Sequence, residues 1–315
     1  MNRIGEFRSS ENNSAWGRPG DQIMPANPGA VFDGEVRVRY FSGDEFKTIW
    51  RPVEARVAEG IARNMEAAAR NVNVGYSQNN GAYPRTTFYE ELLRAGGDAS
   101  QISRPCNGDC SAGTAALLKV EGVPVSADMW TGNAPEQLRA TRMLLEIDIT
   151  CAGYEKYLMR GDILYRPGHM AICLDDGELA VPIPVTATGD VWQRLTPGVS
   201  AGSELYAIDK GAAVSAYLPA VDINGRAWTV TAYNGRRGWS SSRYLDAETE
   251  VVTTASCYIR SAPSLSGKVL AVAEPREVLT STGNAYEDIR GVSWYQVIVG
   301  TSSLGWISGK YSIRR

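Results

Sequence analysis

The sequence predicts a mixed α+β domain followed by two small all-β domains, and three observations carry that expectation. From Pro52 to Arg70 the apolar positions Val53, Val57, Ile61 and Met65 recur every four residues, the spacing of an amphipathic helix, and a small-residue helix opens at Cys110. Beyond Val185 helical periodicity stops, and short segments rich in Gly, Ser and aromatic residues take over. Within that tail the chain repeats itself. Trp192-Gln193-Arg194-Leu195-Thr196-Pro197 matches Tyr258-Ile259-Arg260-Ser261-Ala262-Pro263 at an offset of 66, and Trp228 matches Trp294 at the same offset. Gly238-Trp239 through Tyr244 matches Gly305-Trp306 through Tyr311 at 67, one insertion later.

Taken in order, residues 1 to 51 are rich in Gly, Pro, Asn and Arg and read as an N-terminal extension packed on the first domain, with a short alternating stretch Glu35–Tyr40. The helix at 52–70 leads into a Gly/Asn/Pro-rich loop, 71–85, that holds Tyr76 and Gln78. Thr87-Phe88-Tyr89-Glu90 reads as a capping box opening a short helix that Gly96-Gly97 ends. After the Cys110 helix, Gly122-Val123-Pro124 breaks the pattern, and Asn133-Ala134-Pro135-Glu136 starts another helix with a cap and an early proline. Asp162 to Tyr165 and His169 to Leu174 read as two strands joined by a Pro-Gly turn, and Glu178 to Pro184 as a further strand.

Composition narrows the function. The chain has 315 residues, 43% hydrophobic and 21% charged, enough for two or three cores. A formal charge of −3 gives no reason to expect nucleic acid as a partner. No apolar run reaches the length of a membrane span, and Met1 to Ser14 is polar, without a signal-peptide core. Five cysteines do not make a disulfide framework and suggest free thiols made in a reducing cytoplasm.

The chemistry centres on Asn107-Gly108-Asp109-Cys110-Ser111-Ala112. A thiol at a helix start meets unpaired N–H groups and the positive end of the dipole, which favour thiolate and can hold an oxyanion. A small buried structural cysteine is the alternative reading. Cys106 competes as nucleophile, but it precedes the helix and gains no dipole assistance. His169 is the single histidine of the chain, so a thiol–imidazole pair has one possible base. Alternation puts His169, Ala171 and Cys173 on one face, the face expected to look across at the thiol, and Met170, Ile172 and Leu174 on the other. Cys106, Cys110, His169 and Cys173 do not suit a shared zinc ion, because residues 169 and 173 of one strand lie about 13 Å apart. No metal and no cofactor is expected.

Asp-Cys-Ser opening a helix, followed by Gly161-Asp162-Ile163-Leu164 and Gly168-His169-Met170-Ala171-Ile172, resembles the papain-like cell-wall peptidases of the NlpC kind and the related CHAP amidohydrolases. Gly20-Asp21-Gln22, Gly75-Tyr76-Ser77-Gln78 and Met129-Trp130-Thr131-Gly132-Asn133 extend the resemblance toward phage and prophage endolysins of Gram-positive hosts, over roughly residues 1 to 185. It implies a papain-like α+β catalytic domain in which Cys110 is the nucleophile and His169 its base, with Tyr76 beside the nucleophile shaping the oxyanion site. Gln78 and Trp130 are expected to touch substrate. A polar residue on the strand after the histidine orients the imidazole in such relatives. Here that strand offers Glu178 only at its start, so a backbone carbonyl or a residue from elsewhere is left open. Asp109 is a further carboxylate beside the thiol, and fixing the turn is its alternative role.

The two repeats resemble bacterial SH3-type (SH3b) domains, with an x-Arg-x-x-Pro start and a Gly-Trp-x-x-x-x-Tyr end, and imply two small SH3-like barrels at 186–248 and 249–315 after a domain at 1–185. Trp192, Tyr244 and Tyr311 are the aromatics expected to face a wall ligand. The expected whole is a peptidoglycan hydrolase, an endopeptidase or an N-acetylmuramoyl-L-alanine amidase. It is made in the host cytoplasm, reaches the wall by lysis, a holin or another route, and is tethered by two weak sites. A catalytically dead wall-binding protein and a cysteine amidase or acyltransferase acting on a protein are the rival expectations.

Overall fold

A computed structural model describes residues 2–8, 34–42, 46–78, 84–149, 154–224, 226–247, 250–300 and 303–314. Gly20-Asp21-Gln22 and the fifth cysteine, Cys151, lie outside them. Two compact units divide the chain, Met1–Glu178 and Leu179–Arg315. The expected boundary after Val185 therefore falls inside a strand of the second unit.

In the first unit the strands are β1 (Arg3–Phe7), β2 (Val36–Tyr40), β3 (Thr48–Pro52), β4 (Val74–Tyr76), β5 (Cys106–Gly108), β6 (Leu144–Asp148), β7 (Ile163–Arg166) and β8 (His169–Cys173). The helices are α1 (Ala55–Arg70), α2 (Thr87–Arg94), α3 (Cys110–Val120) and α4 (Ala134–Thr141). Six strands form one antiparallel sheet in the order β2-β1-β8-β7-β3-β6, while β4 and β5 pair in parallel beside it. The segment expected to be a mere N-terminal extension is thus part of the sheet. β1 inserts between β2 and β8, because its Ile4 and Phe7 are apolar on opposite faces and both sides of the sheet are covered.

Alternation along β8 divides two cores. Met170, Ile172 and Leu174 pack with Phe7, Val57, Ile61, Met65, Leu117 and Cys110 on the side of α1 and α3. Ala171 and Cys173 face away, packing with Ile4, Phe46, Ile49 and Tyr154. The sequence expectation that the His169–Ala171–Cys173 face looks toward the helix is corrected here: the oily face takes the helices, since α1 and α3 need the larger apolar area.

Two glycines set the approach distances. A Cβ on Gly113 of α3 would come within 2.4 Å of the Phe7 ring, so the missing side chain lets the helix press onto β1. Gly161 has a φ of +87° and lies against the Ala58 backbone, turning the chain into Asp162. Asp162 is fully buried and holds Arg51 of β3 in a two-pronged pair at 2.8 and 2.7 Å, while also accepting the Met159 N–H. The Gly-Asp of the motif therefore locks the turn before the β7–β8 hairpin. Thr87 departs from the expected capping box: it is the first helical residue of α2, and its hydroxyl accepts the Asn107 N–H at 2.9 Å instead.

The second unit holds β9 (Ile183–Ala187), β10 (Val191–Arg194), β11 (Glu204–Ile208), β12 (Ala213–Ile223), β13 (Arg226–Tyr233), β14 (Arg236–Ser241) and β15 (Leu245–Ala247). They are followed by β16 (Glu250–Thr253), β17 (Cys257–Arg260), β18 (Val269–Ala273), β19 (Val278–Glu287), β20 (Ser293–Val299), β21 (Ser303–Ser308) and β22 (Ser312–Arg314). The sheet orders are β11-β10-β14-β13-β12-β9-β15 and β18-β17-β21-β20-β19-β16-β22, the same topology twice. Each is an antiparallel seven-stranded sheet whose outer strands are not paired with each other among the described residues, so neither of the two expected SH3-like units forms a closed barrel there. The arginines of the repeat start brace the following hairpin: Arg194 binds Ser203 and Glu204, and Arg260 donates to the Gly267 carbonyl at 2.9 Å.

Replacing Asp162 by alanine leaves the Arg51 guanidinium buried without its counter-ion, and should destabilise the first unit by about 3–5 kcal/mol. Denaturant unfolding followed at a first-unit tryptophan, Trp50, checks this; a change under about 1 kcal/mol would contradict the assigned role.

Candidate active site

Asp109 caps α3. Its Oδ1 accepts the N–H groups of Ser111 (2.9 Å) and Ala112 (2.7 Å), and its Oδ2 accepts Arg85 at 2.9 Å. Both carboxylate oxygens are thus committed to structure, which removes Asp109 from the candidate catalytic groups. Arg85 also donates to the carbonyls of Met129 and Asp128, so one buried guanidinium ties the helix start to the loop carrying Trp130. That tryptophan is 57% exposed, and Tyr165 of β7 donates to the Thr131 carbonyl behind it.

Cys110 opens α3 and is buried. Its thiol is pushed up to about 11, first by burial and then by the charge of Asp109; hydrogen bonds from the backbone of Met170 and Ser111 act the other way. The expected lowering by the helix start does not prevail, because burial and the charge of Asp109 outweigh the hydrogen bonds from Met170 and Ser111. The thiol rests protonated and needs a base. Cys106 is buried on β5, with its sulfur on the Asn73 carbonyl at 3.4 Å, and burial pushes its thiol up to about 12. Cys173 is likewise buried, its sulfur on the Asp175 carbonyl.

The Met170 N–H that reaches the Cys110 sulfur belongs to the residue after His169, so the thiol touches the backbone of the strand that carries the imidazole, while the ring itself leaves that strand on the opposite face. The ring stacks on Phe46 with centroids 6.0 Å apart, and its Nε2 meets Glu6 Oε2 at 2.8 Å. No hydrogen bond links Cys110 to the imidazole among the described residues, and the expected direct contact is corrected: the ring lies on the Phe46 and Glu6 face of the sheet, and Cys110 in the core on the other face.

Glu6 is the residue that sequence reasoning missed. It is 1% exposed on β1 and also accepts Arg39 at 3.0 Å and Arg37. Burial opposes its charge, but the hydrogen bonds from His169 and Arg39 outweigh that and hold the carboxyl well below the usual carboxylate range. The orienting group was expected on the strand after the histidine. That place in the sheet belongs to β1, whereas Glu178 lies exposed in a turn, and the strand that follows it, β9, pairs in the second unit. The alternating Arg37 and Arg39 were the legible signal, since two arginines on one strand face require an anion opposite.

Tyr76 is buried at the end of β4. Its phenol is pushed up by burial and by the nearby charges of Cys110 and Asp109, against a side-chain hydrogen bond with Gln78. Tyr76 and Gln78 are thereby brought together beside the thiol. In the second unit Trp192 and Tyr244, 47% and 40% exposed, line one groove of about 230 Å³ with Asp190 and Arg226. Tyr311, the counterpart of Tyr244, is equally exposed at 40%. Trp228, Trp239 and Trp294 are core residues. Among the described residues no group of histidine, cysteine and acidic side chains is arranged to hold a metal ion, and no helix is long and apolar enough to cross a membrane.

An α+β unit that presents a helix-start thiol to the end of a histidine-bearing strand, followed by two repeated β units, defines a modular protein with a thiol-centred first domain. The chain belongs to the endolysin-like domain family, whose profile matches residues 4–180, and residues 254–312 match the bacterial SH3 domain. No curated protein matches it. Among solved structures it is similar to NlpC2 from Trichomonas vaginalis, at 12% identity and a TM-score of 0.19, covering 42% of this chain and 48% of that one. A putative autolysin from Listeria monocytogenes is 13% identical with a TM-score of 0.17, over 42% of this chain and 63% of the other. The chain spans about half the length of the Trichomonas proteins it matches.

Because the folded-state pKa of Glu6 is depressed, its contribution to stability is present above its unfolded value near 4.5 and is lost as pH falls below it. Thermal melts of the wild type should therefore lose more stability between about pH 5 and pH 3 than melts of Glu6→Gln. Parallel acid limbs for the two proteins would contradict the assignment.

Proposed function

We propose that the protein is a peptidoglycan hydrolase that cuts an amide bond of the bacterial cell wall with the thiol of Cys110, His169 as its base and Glu6 as the residue that positions the base. The observation that carries this reading is the convergence at the start of β8, where the sulfur meets the Met170 N–H and the chain's single histidine is held by a buried carboxylate. Membership of the endolysin-like family and the bacterial SH3 match support the cell wall as the substrate.

In this reading the thiol proton passes to Nδ1, which Glu6 at Nε2 leaves open; the transfer requires the ring to turn round the strand end from the Phe46 face to the sulfur, and Glu6 stabilises the imidazolium that results. The thiolate attacks the amide carbonyl, forming the C–S bond as the C=O electron pair moves to oxygen. Ser111 and Ala112 are committed to Asp109, so the oxyanion falls to the N–H of Cys110 itself and to the Tyr76–Gln78 pair. Collapse breaks the C–N bond, and the leaving amine takes the proton from imidazolium. Water, deprotonated by His169, then releases the acyl group and regenerates the thiol. Gln78 and the exposed Trp130 flank this centre as substrate contacts. The cut amide lies in the stem peptide, in a cross-bridge or at the sugar–peptide junction, and Trp192, Tyr244 and Tyr311 hold the wall.

Purified Gram-positive walls should clear with the wild type, followed by turbidity and by mass spectrometry of the new termini. Cys110→Ala should lose about a thousandfold or more of the rate, and Glu6→Gln about tenfold or more in kcat with little change in KM. Clearing at equal rates by wild type and Cys110→Ala would defeat the thiol mechanism. For the second unit, replacing both Trp192 and Tyr244 by alanine should weaken sedimentation with walls by about tenfold or more. Unchanged sedimentation would remove that groove as an anchor.

A further inference from the structure

The second unit contains one topology twice, and the two copies differ in which polar groups they leave unmet. In the first copy the groove of Trp192 and Tyr244 is also lined by Asp190, Arg226 and Trp228. Arg226 and Trp228 stand two apart on β13, so both side chains leave one face of the strand. Trp228 is 3% exposed, and its indole N–H is buried without an acceptor among the described residues. Arg226 is exposed and has no hydrogen bond or ion pair there. Asp190 accepts the Lys210 N–H through Oδ1 at 3.0 Å, which leaves Oδ2 open. Two unmet donors and an unmet carboxylate oxygen thus border one pair of exposed rings.

The second copy closes on itself. At the repeat offset of 66, Ser256 stands in the place of Asp190 and Val292 in that of Arg226. Asp288, in the loop between β19 and β20, meets the Trp294 indole N–H at 3.5 Å and takes Arg290 at 2.9 Å. Tyr258, which replaces Trp192, is covered by the Arg260 guanidinium 5.3 Å from its ring centre, whereas no such cation covers Trp192 among the described residues. Resting on the reading that this chain binds the cell wall, we propose that the two repeats are not equivalent. The first alone holds a charge-selective site, and its ligand is a zwitterionic wall peptide. The ammonium group of that peptide lies at Asp190 and the Trp192 face, its acidic group at Arg226, and one of its oxygens on the Trp228 N–H. Charge decides the class: a neutral glycan would meet neither charge, and Asp190 would repel a polyphosphate chain, whereas a peptide with a free amine and a free acid satisfies both.

The test titrates full-length Cys110→Ala protein, which leaves its ligand uncut, with a soluble wall-type peptide carrying a free side-chain amine and a free acid. The indole N–H signals of the eight tryptophans are followed by NMR, with Trp228→Phe assigning the first-repeat signal and Trp294→Phe the second. The Trp228 signal should move and the Trp294 signal should stay. Arg226→Gln and Asp190→Asn, both at exposed positions, should each weaken the binding read at Trp228 by about tenfold, while Arg290→Gln leaves it unchanged. Acetylating the peptide amine should cost about tenfold with Asp190 present and nothing further in Asp190→Asn. Equal movement of both indoles, no movement of either, or unchanged affinity in Arg226→Gln would overturn the assignment. A stronger response to glycerol-phosphate oligomers or to peptide-free glycan would overturn the ligand class. Wall clearing is read separately: if it does not depend on Cys110 while Trp228 still responds, the hydrolase reading fails and the first-repeat site stands.

Discussion

The first unit depends on a buried carboxylate. Glu6 sits 1% exposed in the middle of a sheet, and such a charge survives there only because two arginines and the histidine surround it. The requirement runs in both directions. Arg37 and Arg39 would repel each other on one strand face without the anion, and the imidazole would have no fixed orientation without the acceptor at Nε2. One ion cluster thereby joins β1, β2 and β8, the three strands at one side of the sheet.

That cluster makes the chain's first residues integral to the site. Phe7, next to Glu6, is the surface on which α3 rests through Gly113, so the strand that orients the imidazole also sets the height of the thiol-bearing helix. Asp109 and Arg85 fix the helix start from the other side and bring in the Trp130 loop. The thiol is held in a dry, carboxylate-flanked position where it stays protonated. A protonated thiol of this kind reacts slowly unless a base takes its proton.

Much of this was legible in the sequence. The periodicity of Val53, Val57, Ile61 and Met65 gave α1, Asp-Cys-Ser gave the start of α3, and the Pro-Gly turn gave the β7–β8 hairpin, because local spacing dictates each of these. The repeated tail is matched by two sheets of one topology. What was hidden is long-range. Which strand lies beside β8 is decided by pairing across some 165 residues, and a five-residue strand such as Arg3–Phe7 carries too little periodicity to announce its partner. Hence the sequence offered only Glu178 and otherwise left the orienting group open, and did not point to Glu6. The direction of the Cys110 shift was hidden for a similar reason. The dipole of α3 is visible in the sequence, but the burial that outweighs it is a tertiary fact.

The account's central claim is that His169, held by Glu6, governs the reactivity of Cys110. The most direct measurement is the rate at which iodoacetamide alkylates Cys110 at neutral pH, followed by mass spectrometry of the peptide that contains it. A thiol pushed up to about 11 is ionised in about one molecule in ten thousand at pH 7, so its reactivity without a base should be very low. The account predicts that the wild type reacts about tenfold or more faster than His169→Ala, with Glu6→Gln between them. Equal rates in all three proteins would mean that thiol and imidazole do not act together, and would contradict it.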